Sequence, residues 1–140
     1  MSIYPFFEES AIPAAALPLA REVARDPATG RTVWRGGSPA IVTGTDAVAS
    51  WAQAALRTAR CRHSIYSAAF GCEAESLIGR VWSEAVKSVE APRMVIDALT
   101  VSPYITGVGD LQVTFTGHRL QIAGKLKSIY GEVRLNAVDL

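Results

Sequence analysis

Near its carboxyl end the chain alternates apolar and polar residues over two successive runs, a pattern that few folds can accommodate. The first run spans residues 111–116 and the second spans 119–127, with Gly117-His118 between them. In both runs every second residue is apolar, apart from one glycine: Leu111, Val113, Phe115, Leu120, Ile122, Gly124 and Leu126. A period of two places these side chains on one face of a strand. The sequence therefore predicts a β-hairpin over residues 110–127, with its turn at Gly117-His118.

Beyond Leu126 the alternation changes parity, because the next apolar residues are Ile129, Val133 and Leu135. An odd step along a period of two predicts a bulge or bend near residues 127–128. A further strand is predicted over 129–135, and no helix follows to cover it. An uncovered terminal strand is an edge available for pairing with another chain.

Helical segments are predicted between residues 45 and 100. The first begins near Thr45 or Asp46, either of which can cap it. Its apolar face is formed by Val48, Trp51, Ala52, Ala55 and Leu56. Residues 73–79 predict one helical turn closed by Gly79. Pro92 is predicted to divide the last helical region into a segment over 83–89 and a second segment that turns Val95, Ile96 and Leu99 towards the core.

The first eighteen residues predict an extended arm, because prolines at positions 5, 13 and 18 exclude a continuous helix. Tyr4, Phe6 and Phe7 make this arm too apolar for a solvated tail, so it packs on its own domain or on a neighbour; the sequence leaves both alternatives open. Residues 26–30 predict a tight turn, and the glycines at 36 and 37 predict a loosened chain before the first helix.

Length and composition favour one small domain over residues 19–140. The chain has 140 residues, a mass of 14.9 kDa, 49% hydrophobic residues and a formal charge of +1. A domain of this size buries roughly two thirds of its unfolded surface. The predicted fold is α+β: a small antiparallel or mixed sheet, with a carboxyl-terminal hairpin and strand, packed on two to three helices, with the extended arm at the amino end.

The same composition argues against several classes of partner. A charge of +1 provides no basic field for a phosphate backbone, so nucleic acid is not expected as a partner. We find no apolar run of membrane-spanning length and no secretion signal, so we expect neither a membrane partner nor export. Cys61 and Cys72 are accordingly predicted to be reduced core thiols in a protein assembled in a cytoplasm.

A search for catalytic patterns yields only weak alternatives. Cys61, His63 and Cys72, with Glu73 or Glu75, could form a soft metal site, but core thiols and a surface histidine explain this spacing better. The carboxylates that a glycoside hydrolase would need are available only as acidic residues on helical faces: Glu73, Glu75, Glu84 and Glu90. Ser64 and Ser67 lack the setting of a nucleophilic serine. No catalytic, metal or cofactor-binding residue is assigned, and no cofactor is expected.

A longer motif order is more specific than any of these patterns. Residues 58–67 read Thr-Ala-Arg-Cys-Arg-His-Ser-Ile-Tyr-Ser, followed by Phe-Gly-Cys at 70–72 and Glu-Ser-Leu-Ile-Gly at 75–79. An Asp-Pro-Ala-Thr-Gly-Arg turn occupies 26–31, and Ile-Tyr-Gly-Glu occupies 129–132. In this order the motifs resemble the XkdS-type, lysozyme-like baseplate wedge proteins over residues 19–135. Ala59 and Ala69 depart from the family pattern, which has acidic residues at both positions.

The resemblance implies a structural protein in the baseplate of a contractile phage-type tail, not an enzyme. Its implied partners are the sheath protein and wedge subunits, with tube or hub proteins as further candidates, in a ring of about six copies. The implied location is a virion or tail particle assembled in the cytoplasm of the producing cell. The kind of particle, whether phage, tailocin or another injection machine, is left open.

Roles are predicted for three sets of residues. The strand that faces the sheath is predicted to comprise Ile129, Tyr130, Gly131, Glu132, Val133, Arg134 and Leu135. Arg60 and Arg62 either order the loop after the first helix or contact a wedge subunit. Tyr4, Phe6 and Phe7 are the predicted contacts of the arm. Two alternatives are a baseplate-associated peptidoglycan glycoside hydrolase and a stand-alone oligomeric adaptor.

Overall fold

The computed structural model describes residues 17–78, 83–116 and 119–139, the last four of these by their backbone alone. Tyr4, Phe6 and Phe7, the cap at Gly79 and the turn at Gly117-His118 lie outside the described residues. The described chain confirms the α+β class, with two helices and small antiparallel sheets. In chain order its strands and helices are β1 (Arg21–Val23), β2 (Trp34–Arg35), β3 (Ser38–Pro39), β4 (Ile41–Thr43), α1 (Thr45–Arg57), α2 (Glu84–Thr100), β5 (Ile105–Thr116), β6 (Arg119–Ser128) and β7 (Gly131–Asp139).

The largest sheet has the order β5-β6-β7, and every neighbouring pair is antiparallel. Its inner face contributes Leu120, Ile122 and Leu126 from the central strand, all fully buried. Helix α1 packs against β7 and α2 packs against β5, so both helices cover the same face. The period-two prediction for the hairpin is thereby confirmed, since the predicted apolar face of β6 is buried in the core.

The apolar faces of the helices complete this core. Val48, Ala52, Ala55 and Leu56 of α1 are buried as predicted. The strand β1 pairs with β4 beside α1, in the register Arg21 to Thr43. Helix α1 starts after Gly44, whose φ is +65°, without the side-chain cap expected from Thr45 or Asp46. Glycine tolerates that backbone conformation, so the chain turns into the helix without a capping side chain.

The predicted loose segment at Gly36-Gly37 is instead the tight turn of a hairpin. Arg35 pairs with Ser38, and the two glycines between them have φ values of +57° and +80°. The type I′ turn, which is one of the favoured two-residue hairpin turns, needs positive φ at both positions, and glycine adopts it without strain. Trp34 on β2 of this hairpin is 64% exposed.

Pro92 does not divide the second helix, contrary to the prediction. Helix α2 runs without interruption from Glu84 to Thr100, and Ser83 caps it by accepting a hydrogen bond from the Val86 amide at 3.3 Å. A proline inside a helix removes one backbone hydrogen bond. Burial of Ala91 before the proline, and of Val95, Ala98 and Leu99 after it, offsets that loss.

The parity change after Leu126 marks a hairpin turn rather than a bulge. Ser128 pairs with Gly131, and Ile129-Tyr130 form the two-residue loop between β6 and β7. The Ser128 hydroxyl stabilises this turn, because it donates to the Gly131 carbonyl at 2.7 Å and accepts from the Tyr130 amide at 3.2 Å. The predicted strand over 129–135 thus begins two residues later, at Gly131.

Two side chains assigned to the core lie at the surface. Ile96 is 38% exposed. Cys61 is exposed as well, and only Cys72 is a buried thiol. The segment 61–69 is exposed throughout, because it loops outwards between α1 and a 3₁₀ turn at Ala74–Leu77.

Candidate partner-binding surface

The outer edge of β7 carries backbone groups that face away from the sheet. Ser128 and Gly131 close a two-residue hairpin, so they exchange hydrogen bonds with each other. Bonded and non-bonded pairs then alternate along the ladder, which makes Val133 opposite Leu126 the next bonded pair. The amides and carbonyls of Glu132 and Arg134 therefore point outwards. Within the described parts of the chain, β7 has a strand neighbour on one side only.

A groove of about 380 Å³ runs beside this edge. One wall is formed by four consecutive residues of β7, Glu132 to Leu135. Consecutive residues of a strand point to opposite faces, so a groove lined by all four follows the backbone edge and not one face of the sheet. The remaining lining includes Asp46, Ser50 and Gln53 of α1, together with Arg25 and Pro27.

Buried and exposed side chains alternate along β7, as expected for a strand that packs on the core and has an unpaired outer edge. Val133 is 6% exposed and Leu135 is 2% exposed, so both side chains face the helices. Glu132 and Arg134 are exposed. The two residues with outward-pointing backbone thus have side chains that the core does not need.

Ile129 and Tyr130, which the sequence placed in the sheath-facing strand, belong to the turn, where Tyr130 has a structural contact. Its hydroxyl accepts a hydrogen bond from the buried Ala20 amide at 2.9 Å. Its ring stacks on Tyr104 at 6.2 Å, and the Tyr104 hydroxyl donates to the Pro18 carbonyl at 2.7 Å. The two tyrosines fasten residues 18–20 to the end of the sheet.

Arg60 and Arg62 lie in the loop after α1, at a shallow cavity separate from the β7 groove. Arg60 Nη1 lies 3.7 Å from Glu73 Oε1, and Arg62 Nη2 lies 3.3 Å from Glu75 Oε1. Both arginines therefore tie the loop to the segment around the 3₁₀ turn. Arg60 is the more enclosed of the two, with 20% of its side chain exposed against 59% for Arg62.

The backbone beneath these ion pairs is tightly packed. Gly71 has a φ of +109°, and an added Cβ would lie 2.9 Å from the backbone of Arg60 and Thr58. Glycine is needed here for both reasons. The backbone of the next residue, Cys72, pairs with that of Ala59 in an isolated parallel β-bridge. Burial raises the pKa of the Cys72 thiol. Neutral Cys72 is thus a core residue that anchors the loop.

The candidate catalytic carboxylates are each paired with a cation. Glu73 and Glu75 face the two arginines, Glu84 lies 3.9 Å from Lys87, and Glu90 lies 2.7 Å from Arg93. Among residues 17–78, 83–116 and 119–139, no three His, Cys, Asp or Glu side chains come together as a metal site. The described helices include none that is long and apolar enough to span a membrane.

The groove beside β7 is the feature that sequence patterns did not indicate. Its walls come from residues about ninety positions apart, 42–53 and 132–135. Ser50 and Gln53 are buried polar residues of α1, Asp46 is exposed, and none of the three belongs to the apolar face that helical periodicity indicates. The spacing of 46, 50 and 53 along one side of a helix was the available signal.

Comparison with known proteins gives concordant matches. A family model described as the contractile injection system sheath initiator matches residues 21–131. The phage-like element PBSX protein XkdS of Bacillus subtilis (strain 168) is 26% identical over 99 residues, which is 70% of this chain and 70% of that protein. The family match spans β1 to the start of β7, and therefore includes both helices and the loop with Arg60 and Arg62.

Proposed function

Because the chain belongs to the contractile injection system sheath initiator family, we propose that it starts the sheath by pairing the free edge of β7 with an extended arm of a sheath subunit. The family match makes this a structural component of a phage-type contractile tail. Strand addition to an exposed edge gives affinity through main-chain hydrogen bonds and register through alternating side chains. The outward-facing backbone of Glu132 and Arg134 is the observation that supports this role most directly.

The proposed roles of the predicted strand residues differ along the chain. Glu132 and Arg134 offer backbone groups to the sheath arm, while Val133 and Leu135 hold β7 on the core. Gly131 starts the strand with a φ of +117°. Ile129 and Tyr130 support the edge from the turn, without pairing with the arm.

We further propose that the remaining surfaces hold the protein in the baseplate. Arg62 is exposed enough to contact a wedge subunit, while Arg60 orders the loop from its more enclosed position. Residues 1–18, with Tyr4, Phe6 and Phe7, act as an arm that contacts a neighbour, and residues 19–140 act as the docking domain. Several copies, about six, form a ring beneath the first sheath layer, beside wedge subunits and tube or hub proteins. No catalytic step is proposed.

The test is nucleation of sheath by the purified chain. Sheath and wedge subunits of the same particle are mixed with wild-type protein, and assembly is followed by light scattering and electron microscopy. We expect ordered sheath to grow from complexes that contain the chain. The double variant with Glu132→Pro and Arg134→Pro removes two outward amides and should abolish nucleation.

The matched control is the double alanine variant at the same positions, which removes both side chains and keeps both amides. It should nucleate sheath as wild type does. If the proline variant nucleates equally well, or if the alanine variant fails, backbone pairing at β7 is not the mechanism.

A further inference from the structure

Gln53 on α1 is a buried polar residue whose side-chain oxygen has no partner in the described part of the chain. The residue is 5% exposed, and its Oε1 atom accepts no hydrogen bond. An acceptor buried in this way destabilises the folded chain unless something bonds to it. Since Gln53 lines the groove beside β7, the partner it lacks could enter from that groove.

A donor in the same groove is also unsatisfied. The Nε atom of Arg25 is buried and makes no hydrogen bond, although Arg25 Nη1 donates to the Gly30 carbonyl at 3.3 Å. The groove thus contains one acceptor and one donor without partners, Gln53 Oε1 and Arg25 Nε. Charge alone does not select an occupant, because Arg25 and Arg134 are balanced by Asp46 and Glu132.

An added strand would need those two groups. When a strand pairs with β7, half of its amides and carbonyls face β7 and the other half face away from it. The rest of the groove is lined by α1 and by residues 24, 25, 27 and 42, and the backbone groups of α1 are committed to the helix, so α1 can pair with the strand only through side chains. Unpaired groups on the far side would weaken binding.

We propose that Gln53 Oε1 accepts a hydrogen bond from a backbone amide on the far side of the strand that β7 recruits, and that Arg25 Nε donates to a carbonyl on that side. This inference rests on the proposed function, and it adds the second side of the binding site. The groove then recognises a main chain from both directions, which favours an extended segment over a helix or a folded surface. Gln53 is therefore proposed to bind the added strand directly, in addition to the backbone pairing of that strand with β7.

The experiment measures two properties of the variant Gln53→Met. Methionine has a similar length and lacks the acceptor, so the free domain should be equally stable or more stable in urea unfolding. Affinity for the purified sheath subunit of the same particle, measured by biolayer interferometry, should fall about tenfold, as expected for a buried amide left unpaired. A residue that only supports the fold would lower both quantities together.

Two further variants make the result decisive. Gln112→Met changes an exposed glutamine on β5 and should leave both quantities unchanged. If Gln53→Met prevents folding, Gln53→Leu removes the same acceptor and serves as the second variant. Sheath affinity within twofold of wild type in a folded Gln53 variant would overturn the inference, as would a loss of stability that accounts for the lost binding.

Failure of the inference is separable from failure of the proposed function. If Glu132→Pro abolishes sheath binding and Gln53→Met does not weaken it, the function holds and the Gln53 contact is wrong. If Glu132→Pro binds as wild type does, edge pairing itself is wrong. When both contacts are correct, Gln53→Met added to Glu132→Pro causes no further loss, because the strand that Gln53 contacts is already absent.

Discussion

The two outer strands of the sheet, β5 and β7, differ in the side chains of the residues whose backbone groups face outwards. In β7 the outward backbone belongs to exposed Glu132 and Arg134. In β5 it belongs to Val113 and Phe115, because the alternate pairs Thr114 with Gln121 and Gln112 with Ala123 bond to β6. Both Val113 and Phe115 pack on the core. The side chains at the outward positions of β7 can therefore be substituted without loss of core packing. Those at the outward positions of β5 cannot, because they pack on the core.

Irregularities add to this difference. The β5–β6 ladder shifts register between Ile105 and Gly107 and again between Gly109 and Gln112, and Asp110 between them has a φ of +49°. The β6–β7 ladder pairs without a shift from Ser128 to Gly124. Bulges interrupt the regular row of donors and acceptors that another strand would need. Of the two edges, β7 over residues 131–135 is the one suited to strand addition.

The largest expected effect comes from placing proline on an outward backbone position of each edge. Phe115→Pro removes a core-packed ring beneath Lys87 and should lower the free energy of unfolding by about 3 kcal/mol or more. Glu132→Pro should cost less than about 1 kcal/mol, because the lost amide has no partner in the sheet. Urea unfolding of both variants measures the contrast. Equal losses would mean that the two edges do not differ as described.

The bulge at Asp110 predicts an effect of intermediate size. Asp110→Val places a β-branched residue at positive φ and should destabilise the domain by about 1 to 3 kcal/mol. Asp110→Gly is the control and should be neutral or slightly stabilising, since glycine adopts that φ freely. Thermal unfolding monitored by circular dichroism distinguishes the two. A valine variant as stable as wild type would show that the β5 bulge is not held in that conformation.

Tyr130→Phe separates support of the β7 edge from contact with the sheath. The change leaves the buried Ala20 amide without its acceptor and should lower stability by about 1 to 2 kcal/mol. Sheath affinity should stay within twofold of wild type, because Tyr130 lies in the turn before the edge. Tyr66→Phe, at an exposed ring, should change neither quantity. A marked loss of affinity would return Tyr130 to the sheath-binding strand.

The smallest effect is expected at Lys125, which lies between the two edges on β6. Its ammonium is 3.8 Å from the Asp110 carboxylate and 3.4 Å from that of Glu132. Both pairs are exposed, so Lys125→Met should change the unfolding free energy by less than about 0.5 kcal/mol, with little dependence on salt. A larger loss, reversed by raising the ionic strength, would show that charge joins the two edges.

Sequence patterns gave the sheet and the first helix because each depends on local periodicity. The alternation through Leu120, Ile122 and Leu126 identified the buried face of β6, and helical spacing identified the buried face of α1. The turn at Ile129-Tyr130 escaped prediction because two apolar residues provide none of the usual hairpin turn chemistry. Pro92 was misjudged for a related reason: local propensity favours a break, and burial on both sides of the proline overrides it.

The candidate site was predictable in part. A strand over residues 129–135 follows from the alternation of the sequence, and Glu132 and Arg134 lie within that stretch. The pairing of Ser128 with Gly131 decides which residues have outward-facing backbone groups. That register is set by the folded structure and cannot be read from the alternation of the sequence. Gln53 could not be identified, because a glutamine on a helix is ordinarily solvated. Its burial beside β7, with an acceptor that has no partner among the described residues, appears only in the folded domain.

The tyrosine contacts at residues 18–20 have a mechanical consequence. A contracting machine transmits force through the subunits at its base, and a pull on the amino-terminal segment would first load the Tyr104 and Tyr130 hydrogen bonds. Those bonds lead to the β6–β7 hairpin turn, so tension would pass into the long sheet and bypass the three-residue β1 strand. A pull from the amino end would thus reach the sheet beside the β7 edge that is proposed to bind the sheath.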